Sequence, residues 1–377
     1  MFVSSLAKQN APSCGLSGSL IRRAEVHTRS PQNQYKMKIV KLMTLAFVAA
    51  TLLASCGGSK NVVVYTPEES ALGLVKVTNE ANNSVIGPNV YDAPWKGLLN
   101  TSKQPMASSK EGKFSWSVRH RLSVSPDGLK IAHIAKMEDQ FNVVIRNAFG
   151  TSTTMQRTFR DVRSVFWGPD DMLYFEDVNG INTYVCAVNA EQGSLVTQLT
   201  NGTVQDHDPV TLDGKTIFFT RSSDRGPSIW SINRETGTLT SCARGCQPCL
   251  IPGNPDAFYC MRNSSNGRSE IWYVDFVRGQ ETLVVSDEKR SYANPSLSPD
   301  GRWLVCEGNS VSTDKKKERN LDIYAVATDG SQVVQLTYNS STDANPVFSP
   351  DGRYVYFISD RANDKKYYNI WQMHFTL

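Results

Sequence analysis

The sequence lacks the features that mark several common protein classes. Eight cysteines in 377 residues are too few for a disulfide-dense scaffold, and a mean hydropathy of −0.35 excludes a polytopic membrane protein. No Gly-x-Ser-x-Gly nucleophile elbow occurs. Only four histidines follow position 56, and they are scattered: His120, His133, His207 and His374. A histidine-based metal site is therefore not expected, and we assign no cofactor and no catalytic residue.

The charge balance argues against one class of partner. The chain holds 40 basic and 36 acidic residues, but seven of the basic ones and a single acid, Glu25, lie in residues 1–56. The remainder therefore has a net charge of −2, without a long run of one sign. Binding to nucleic acid has no electrostatic support in such a chain.

An export signal is predicted near the N-terminus. Lys38 and Lys41 precede an apolar run over 42–53, which is too short to span a bilayer and has the length of a signal-peptide core. The tetrad Leu53-Ala54-Ser55-Cys56 at its end resembles a bacterial lipobox. This resemblance implies a lipoprotein signal peptide over 37–55 and diacylglycerol on the sulfur of Cys56, which would replace the helix as an anchor. The alternatives are an ordinary signal peptide or a buried N-terminal helix.

The signal peptide defines the flanking segments. Residues 1–36 are polar and lack apolar periodicity, so we interpret them as a mis-annotated or disordered extension. Residues 56–71 form a linker. No Asp and no acidic run directly follow Cys56. The resemblance to lipoproteins therefore implies an outer-membrane lipoprotein that faces the periplasm, with the lipid as its only membrane contact.

A tetrad typical of a turn recurs through the rest of the chain and predicts repeated hairpins. Its aspartates, spaced 43, 43, 43, 44 and 51 residues apart, are Asp127, Asp170, Asp213, Asp256, Asp300 and Asp351. The tetrad Ser-Pro-Asp-Gly has the composition of a type I turn, and apolar runs flank it on both sides. Further apolar runs follow, such as Ile370-Trp371 and Val333–Thr337. Four short strands in about 43 residues are typical of a propeller blade.

Repeats of the form NPxFSPDGRxxxFxS…xIWxM…xxLT resemble the WD40-like PD40 repeats of the TolB family. The resemblance covers residues 118–377 and is strongest in the first, fifth and sixth units. A true WD40 protein is disfavoured, because the sequence has no Trp-Asp dipeptide. The resemblance implies an all-β fold, a six-bladed β-propeller over 72–377.

We predict that an N-terminal strand closes this ring. The last unit ends after its third strand, and Leu72–Asn79 resembles the fourth-strand segment Val334–Asn339. The alternative is a seventh, degenerate blade in residues 79–120. Closure leaves a loop insertion over 85–117, where Trp95 and Trp116 stand among polar residues. We expect it either to cover the channel or contact a partner, or to pack as a structural belt.

Six equivalent positions should line the channel mouth. They lie six residues before each turn aspartate: Arg121, Ser164, His207, Leu250, Asn294 and Asn345. Asp208 stands beside one of them. The set is mostly polar, which fits ligand contact, although Asn-Pro pairs at strand starts also serve purely structural roles.

Four cysteines cluster near one blade boundary: Cys242, Cys246, Cys249 and Cys260. A turn centred on 254–257 would place Cys260 opposite Ile251 and too far from Cys249 for a bridge. In an oxidising compartment, a loop disulfide from Cys242 to Cys246 or Cys249 is the preferred prediction. Free thiols and a metal site are the alternatives.

These observations predict a monomeric binding or scaffolding module without enzymatic activity. Loops at the channel mouth would present a rigid surface to an envelope protein, a peptide or a glycan. The alternatives are a carbohydrate-active enzyme, of lyase or hydrolase type, with its site in the channel, or a purely structural envelope component.

Overall fold

The computed structural model describes twelve stretches of the chain: residues 67–78, 121–137, 140–149, 155–157, 161–179, 182–190, 195–223, 225–265, 268–309, 321–339, 341–361 and 368–377. All of them fall in the second of two units, Lys60–Leu377. The first unit, Met1–Ser59, lies outside the described residues, as do the predicted lipobox and the insertion over 85–117. Among the helices of the described stretches, none is long and apolar enough to cross a membrane.

One short helix, α1 (Pro67–Ser70), precedes strands that form four-stranded antiparallel sheets. Blade one contains β2 (Ser123–Val124), β3 (Lys130–Met137), β4 (Gln140–Asn147) and β5 (Met155–Arg157). Blade two contains β6 (Asp161–Trp167), β7 (Met172–Asn179), β8 (Asn182–Asn189) and β9 (Thr197–Gln198). Blade three contains β10 (Asp206–Thr211), β11 (Thr216–Arg221), β12 (Ser228–Asn233) and β13 (Leu239–Arg244).

The second half of the ring repeats this arrangement. Blade four contains β14 (Cys246–Ile251), β15 (Asn254–Asn263), β16 (Ser269–Asp275) and β17 (Gln280–Val285). Blade five contains β18 (Tyr292–Leu297), β19 (Trp303–Asn309), β20 (Leu321–Ala327) and β21 (Val333–Gln335). Blade six contains β22 (Asp343–Phe348), β23 (Tyr354–Ser359), β24 (Asn369–His374) and, from the other end of the chain, β1 (Val75–Lys76). The prediction of a six-bladed propeller is confirmed.

The serine and aspartate of the tetrad hold the first hairpin of the blades. In blade one, Ser125 Oγ donates to Asp127 Oδ1 (2.6 Å), and the N–H of Lys130 donates to Ser125 Oγ (2.9 Å). Gly128 takes a φ of 74°, which a residue with a side chain rarely adopts. The same serine–aspartate bonds recur in blades five and six, between Ser298 and Asp300 and between Ser349 and Asp351. The repeated tetrad is therefore a self-contained turn.

Blade four departs from the predicted turn. Its hairpin reverses at Pro252 and Gly253, where Gly253 has a φ of 79°, and Ile251 pairs with Asn254. The segment 254–257, predicted as the turn, is the start of β15. Proline followed by glycine fits a two-residue reversal better than the degenerate tetrad does, because glycine alone tolerates the positive φ freely. The predicted register is therefore wrong here, and Cys249 pairs with Tyr259.

The N-terminal strand closes the ring as predicted. Val75 pairs with Gln372 and Lys76 with Trp371. Thr78 Oγ1 accepts the N–H of Ile370 (2.9 Å), just as the threonines of the equivalent segments, Thr200 and Thr337, accept the N–H groups of Val185 and Ile323. This shared bond explains why the segment before position 79 resembles a fourth strand.

The core is divided among the junctions between blades. Six clusters of buried apolar side chains are present in the described residues, and each draws its members from two adjacent blades. Members from the two sides include Ile134 and Leu173, Val185 and Ile217, Val210 and Phe258, Met261 and Tyr292, Ile323 and Phe357, and Ile358 and Leu122. The last pair joins blades six and one, so the apolar contacts run around the complete circle.

Candidate ligand channel

The innermost strand of each of blades two to six is interrupted by a bulge. The bulge of blade two leaves Ser164 unpaired. Blades three to six each leave two residues unpaired, and the first of each pair is Asp208, Gln247, Asn294 or Asn345. All except Ser164 adopt a left-handed φ of 52–57° and are followed by proline. A bulge bends the strand and re-aims its side chains, and Asn and Asp tolerate the left-handed conformation better than most residues. Arg121 holds the corresponding place in blade one, four residues before the serine of its turn.

In two of the six blades, the residue at the bulge is not the one predicted from the sequence. In blade three the ring residue is Asp208 and not His207, whose Nδ1 instead lies 3.1 Å from Glu176 Oε2 in the buried interior. In blade four it is Gln247 and not Leu250, because the turn from which we counted lies elsewhere. A residue followed by proline in the innermost strand would have identified both positions from the sequence.

Arg121 spans the channel between blades. Its Nε donates to Asn294 Oδ1 of blade five (2.7 Å) and lies 3.6 Å from Asp208 Oδ1 of blade three. Asn294 Nδ2 in turn donates to Asn345 Oδ1 of blade six (2.6 Å). Hydrogen bonds therefore join blades one, five and six at this level of the channel, and Asp208 of blade three adds an ion pair.

Neighbouring blades also satisfy the backbone of the bulges. The N–H of Asp208 donates to Glu176 Oε1 (2.8 Å), that of Gln247 to Thr220 Oγ1 (3.0 Å), and that of Asn345 to Glu307 Oε2 (2.9 Å). Each acceptor stands on the second strand of the preceding blade. In blade four the equivalent position is Met261. The bulge of blade five is capped instead by Gln247, whose Oε1 accepts the N–H of Asn294 (2.7 Å).

The channel contains a cavity of about 240 Å³ that the innermost strands of all six blades line. Arg121, Asn294 and Asn345 form its polar end. The walls are mainly apolar: Leu122, Val165, Phe166, Val210, Leu212, Pro248, Leu250, Pro252, Pro295, Leu297, Pro346 and Val347. At the turn end of the cavity Pro252 is exposed, whereas Asn294 and Asn345 at the polar end are buried.

The remaining predicted site residues are not brought into the cavity. Ser164 and His207 are buried and do not line it. Asp208 does not line the cavity either, and its carboxylate lies 3.6 Å from Nε of Arg121, which does. Trp95, Trp116 and the lipidation tetrad with Cys56 lie outside the described residues. Within the described stretches, no group of three or more His, Cys, Asp or Glu side chains is arranged to hold a metal ion.

The six cysteines of the described residues are free thiols, so the preferred loop disulfide is not present. Cys242 lies on β13, the outermost strand of blade three, whereas Cys246 and Cys249 lie on β14, the innermost strand of blade four. The predicted partners thus occupy opposite edges of adjacent blades, and not one loop. Burial raises the pKa of Cys249 and of Cys260 to about 12, which keeps both as unreactive thiols.

Known proteins share low sequence identity with parts of this chain. No protein-family model matches the chain. It is 30% identical over 111 residues to a putative Tricorn-like protease C-terminal subunit of Sulfurisphaera tokodaii, which covers 28% of this chain and 12% of that protein. It is 27% identical over 153 residues to a TolB homologue of Chlorobium luteolum, which covers 39% of this chain and 32% of that protein. The chain thus spans at most about a third of these relatives.

A solved structure extends the comparison to the architecture. The crystal structure of TolB from Acinetobacter baumannii superimposes with a TM-score of 0.52 at 17% identity, over 66% of this chain and 64% of that chain. Identity this low speaks for the fold alone. Taken with the six blades and the tetrad repeats, it identifies the described part of this chain as a TolB-like six-bladed β-propeller.

Proposed function

We propose that this chain is a binding module that receives part of an envelope partner in its central channel. One observation carries the proposal: the innermost strands of all six blades converge on a single cavity. A concave, mainly apolar site with a few placed polar groups is the usual form of a ligand site. The TolB-like propeller fold is itself in keeping with a binding or scaffolding role.

The cavity favours a protein or peptide over a glycan. At about 240 Å³ it has room for one or two side chains or a chain end, and not for several sugar rings. Val, Leu and Pro dominate its walls, which suits apolar side chains better than hydroxyl-rich rings. A glycan partner is therefore the weaker of the two predicted classes.

The carbohydrate-active alternative gains no support from the same residues. Among the described residues that line the cavity, Arg121 is the one ionisable side chain besides the thiol of Cys249. Glycoside hydrolysis uses a pair of carboxylates on either side of the bond that breaks. The cavity lining does not provide that pair.

We further propose that the module is a lipoprotein anchored through Cys56 to the outer membrane and facing the periplasm. The support is the lipobox-like tetrad at the end of an apolar run of signal-peptide length. Metabolic labelling with a fatty-acid probe should mark the wild type and not Cys56→Ala. Equal labelling of the two proteins would contradict the anchor.

Filling the cavity tests the binding function. Leu212→Trp adds bulk at the half-buried turn end of the channel, and Leu239→Trp makes the same change at an exposed position of β13. In pull-downs from envelope fractions, we expect the wild type and the Leu239 variant to recover the same partner and the Leu212 variant to lose it. Equal recovery by both variants, with unchanged thermal midpoints, would contradict binding in the channel.

A further inference from the structure

The polar end of the cavity holds Arg121, which carries a hydrogen-bond donor that the described part of the protein does not use. Arg121 Nη2 and Gln247 Nε2 are buried and have no hydrogen-bond partner among the described residues. Leaving a buried donor unpaired is costly, and more so when the donor is charged. Both donors belong to the polar network around Asn294, but only Arg121 lines the cavity.

Arg121 is held so that one part of its guanidinium stays available. Its Nε donates a hydrogen bond to Asn294 Oδ1 and forms an ion pair with Asp208 Oδ1. The side chain nevertheless lines the cavity and retains 14% of its surface. The hydrogen bond and the ion pair both fall on Nε, which leaves Nη2 for a ligand, and a planar guanidinium is suited to carboxylate recognition.

The other charged groups near this end are already engaged. Glu176 accepts the N–H of Asp208 and faces His207, while Glu307 accepts the N–H of Asn345. Asp208 lies on the Nε side of Arg121. No carboxylate of the described residues lines the cavity itself, so a ligand in the cavity meets one cation behind apolar walls.

We infer that the channel selects a ligand whose apolar body ends in a carboxylate, which Arg121 receives at the polar end of the cavity. This inference rests on the proposed function and adds the chemical class of the ligand. The apolar walls accommodate the body, and the low-dielectric surroundings strengthen the charged hydrogen bond at its end. The carboxylate comes either from the C-terminus of a peptide or from an acyl chain.

Paired probes test the inference directly. Isothermal titration would compare the acetylated tripeptide Leu-Leu-Phe with its C-terminal amide, and octanoate with octanamide. We expect the wild type to bind at least one of the two acids about tenfold or more tightly than its amide, because the amide cannot form the charged hydrogen bond. The member of the pair that binds identifies the source of the carboxylate.

Variants then assign the preference to Arg121. Arg121→Gln should bring acid and amide to equal affinity, whereas Arg302→Gln, at an exposed turn arginine, should keep the wild-type ratio. Equal binding of acid and amide by the wild type, no binding of any probe, or a ratio that survives in Arg121→Gln would each overturn the inference. The comparison within the wild type stands even if Arg121→Gln fails to fold. If channel filling abolishes partner capture while acids and amides bind alike, the inference fails and the proposed function stands.

Discussion

Asp322 lies in a buried cluster of charged side chains beside the closing strand. Glu69, Asp343 and Arg361 belong to the same cluster, and Arg361 Nη2 contacts both Asp343 Oδ2 and Glu69 Oε1. Burial, together with the carboxylates of Asp343 and Glu69, raises the pKa of Asp322 to about 8. Gln335 Nε2 donates to Asp322 Oδ2 (3.3 Å), which ties β21 to the cluster.

This raised pKa gives a pH dependence with a definite sign. Between about pH 4 and pH 8 the folded protein keeps a proton on Asp322 that the unfolded chain has released, so the free energy of unfolding falls as pH rises. Asp322→Asn removes this loss, and we expect it to stabilise the protein by about 2 kcal/mol at pH 9 and by little at pH 4. Urea unfolding at both pH values measures the difference.

Asp329→Asn is the matched control for this experiment. Asp329 is exposed in a turn, and its hydrogen bonds with Ser331 lower its pKa, so its contribution is lost at low pH and not at high pH. It should show no gain at pH 9. A gain of equal size in both variants, or none in Asp322→Asn, would contradict the assignment.

Individual site residues were predictable where the repeat is regular. Arg121, Asn294 and Asn345 stand at a fixed distance before intact Ser-Pro-Asp-Gly turns, and the structure places all three at the cavity. Gln247 was missed because the degenerate tetrad of blade four lies in a strand. The bond from Arg121 to Asn294 joins residues 173 positions apart, and such a contact depends on ring closure and not on local pattern.

At the scale of elements, the fourth strand of a blade depends on one threonine. Thr78 accepts the N–H of Ile370 and donates to Asn369 Oδ1 (2.9 Å), and both bonds are buried. Its equivalents Thr200 and Thr337 accept the same kind of N–H in blades two and five. The threonine thus fixes the outer strand where the strand itself is only two or three residues long.

Thr78→Val should weaken the closure of blade six. The substitution keeps the shape of the side chain but leaves the N–H of Ile370 and the Oδ1 of Asn369 without this partner, which we expect to cost about 1–3 kcal/mol. Denaturant unfolding measures the loss. Thr240→Val, at an exposed position of β13, is the control and should change stability by less than about 0.5 kcal/mol. Comparable losses in the two variants would contradict the role of Thr78.

The strands were predictable because their turns have specific chemistry. Ser125 and Asp127 form the same bonds as their counterparts in blades five and six, so an intact tetrad locates a hairpin reliably. The bulges were not foreseen, since their sequence signal is only a residue before proline. Their geometry also depends on caps from another blade, such as Glu176 on Asp208.

At the scale of the whole molecule, closure determines whether an open sheet edge remains. Without β1, the third strand of blade six, β24, would present unpaired backbone groups, and such edges promote association. The closing segment also carries Glu69, whose Oε1 accepts the N–H of Tyr338 in blade five (2.8 Å). A single segment therefore joins the last two blades.

Removing residues 1–78 should open the ring. We expect a lower denaturant midpoint and self-association in light scattering, whereas removal of residues 1–66 should leave both properties unchanged. Excess synthetic peptide 67–78 should restore the midpoint, because it binds only the folded state. A monomer of unaltered stability after removal of residues 1–78 would contradict the closing role.

Closure itself was predictable, because Leu72–Asn79 repeats the fourth-strand pattern that includes Thr337. The burial of the polar ring residues was not predictable, because the sequence places them at the strand starts without showing how much of their surface solvent reaches.

The capping of the bulges in blades three, four and six by the preceding blade has a consequence for how such a protein diversifies. Glu176, Thr220 and Glu307 each complete the backbone of a neighbour and not of their own sheet. One of these blades transplanted alone would arrive without the acceptor for its bulge N–H. Exchange between homologous rings, natural or engineered, should therefore succeed when the cut falls inside the sheet of blade two, three or five, between its first and second strands, so that acceptor and bulge travel together.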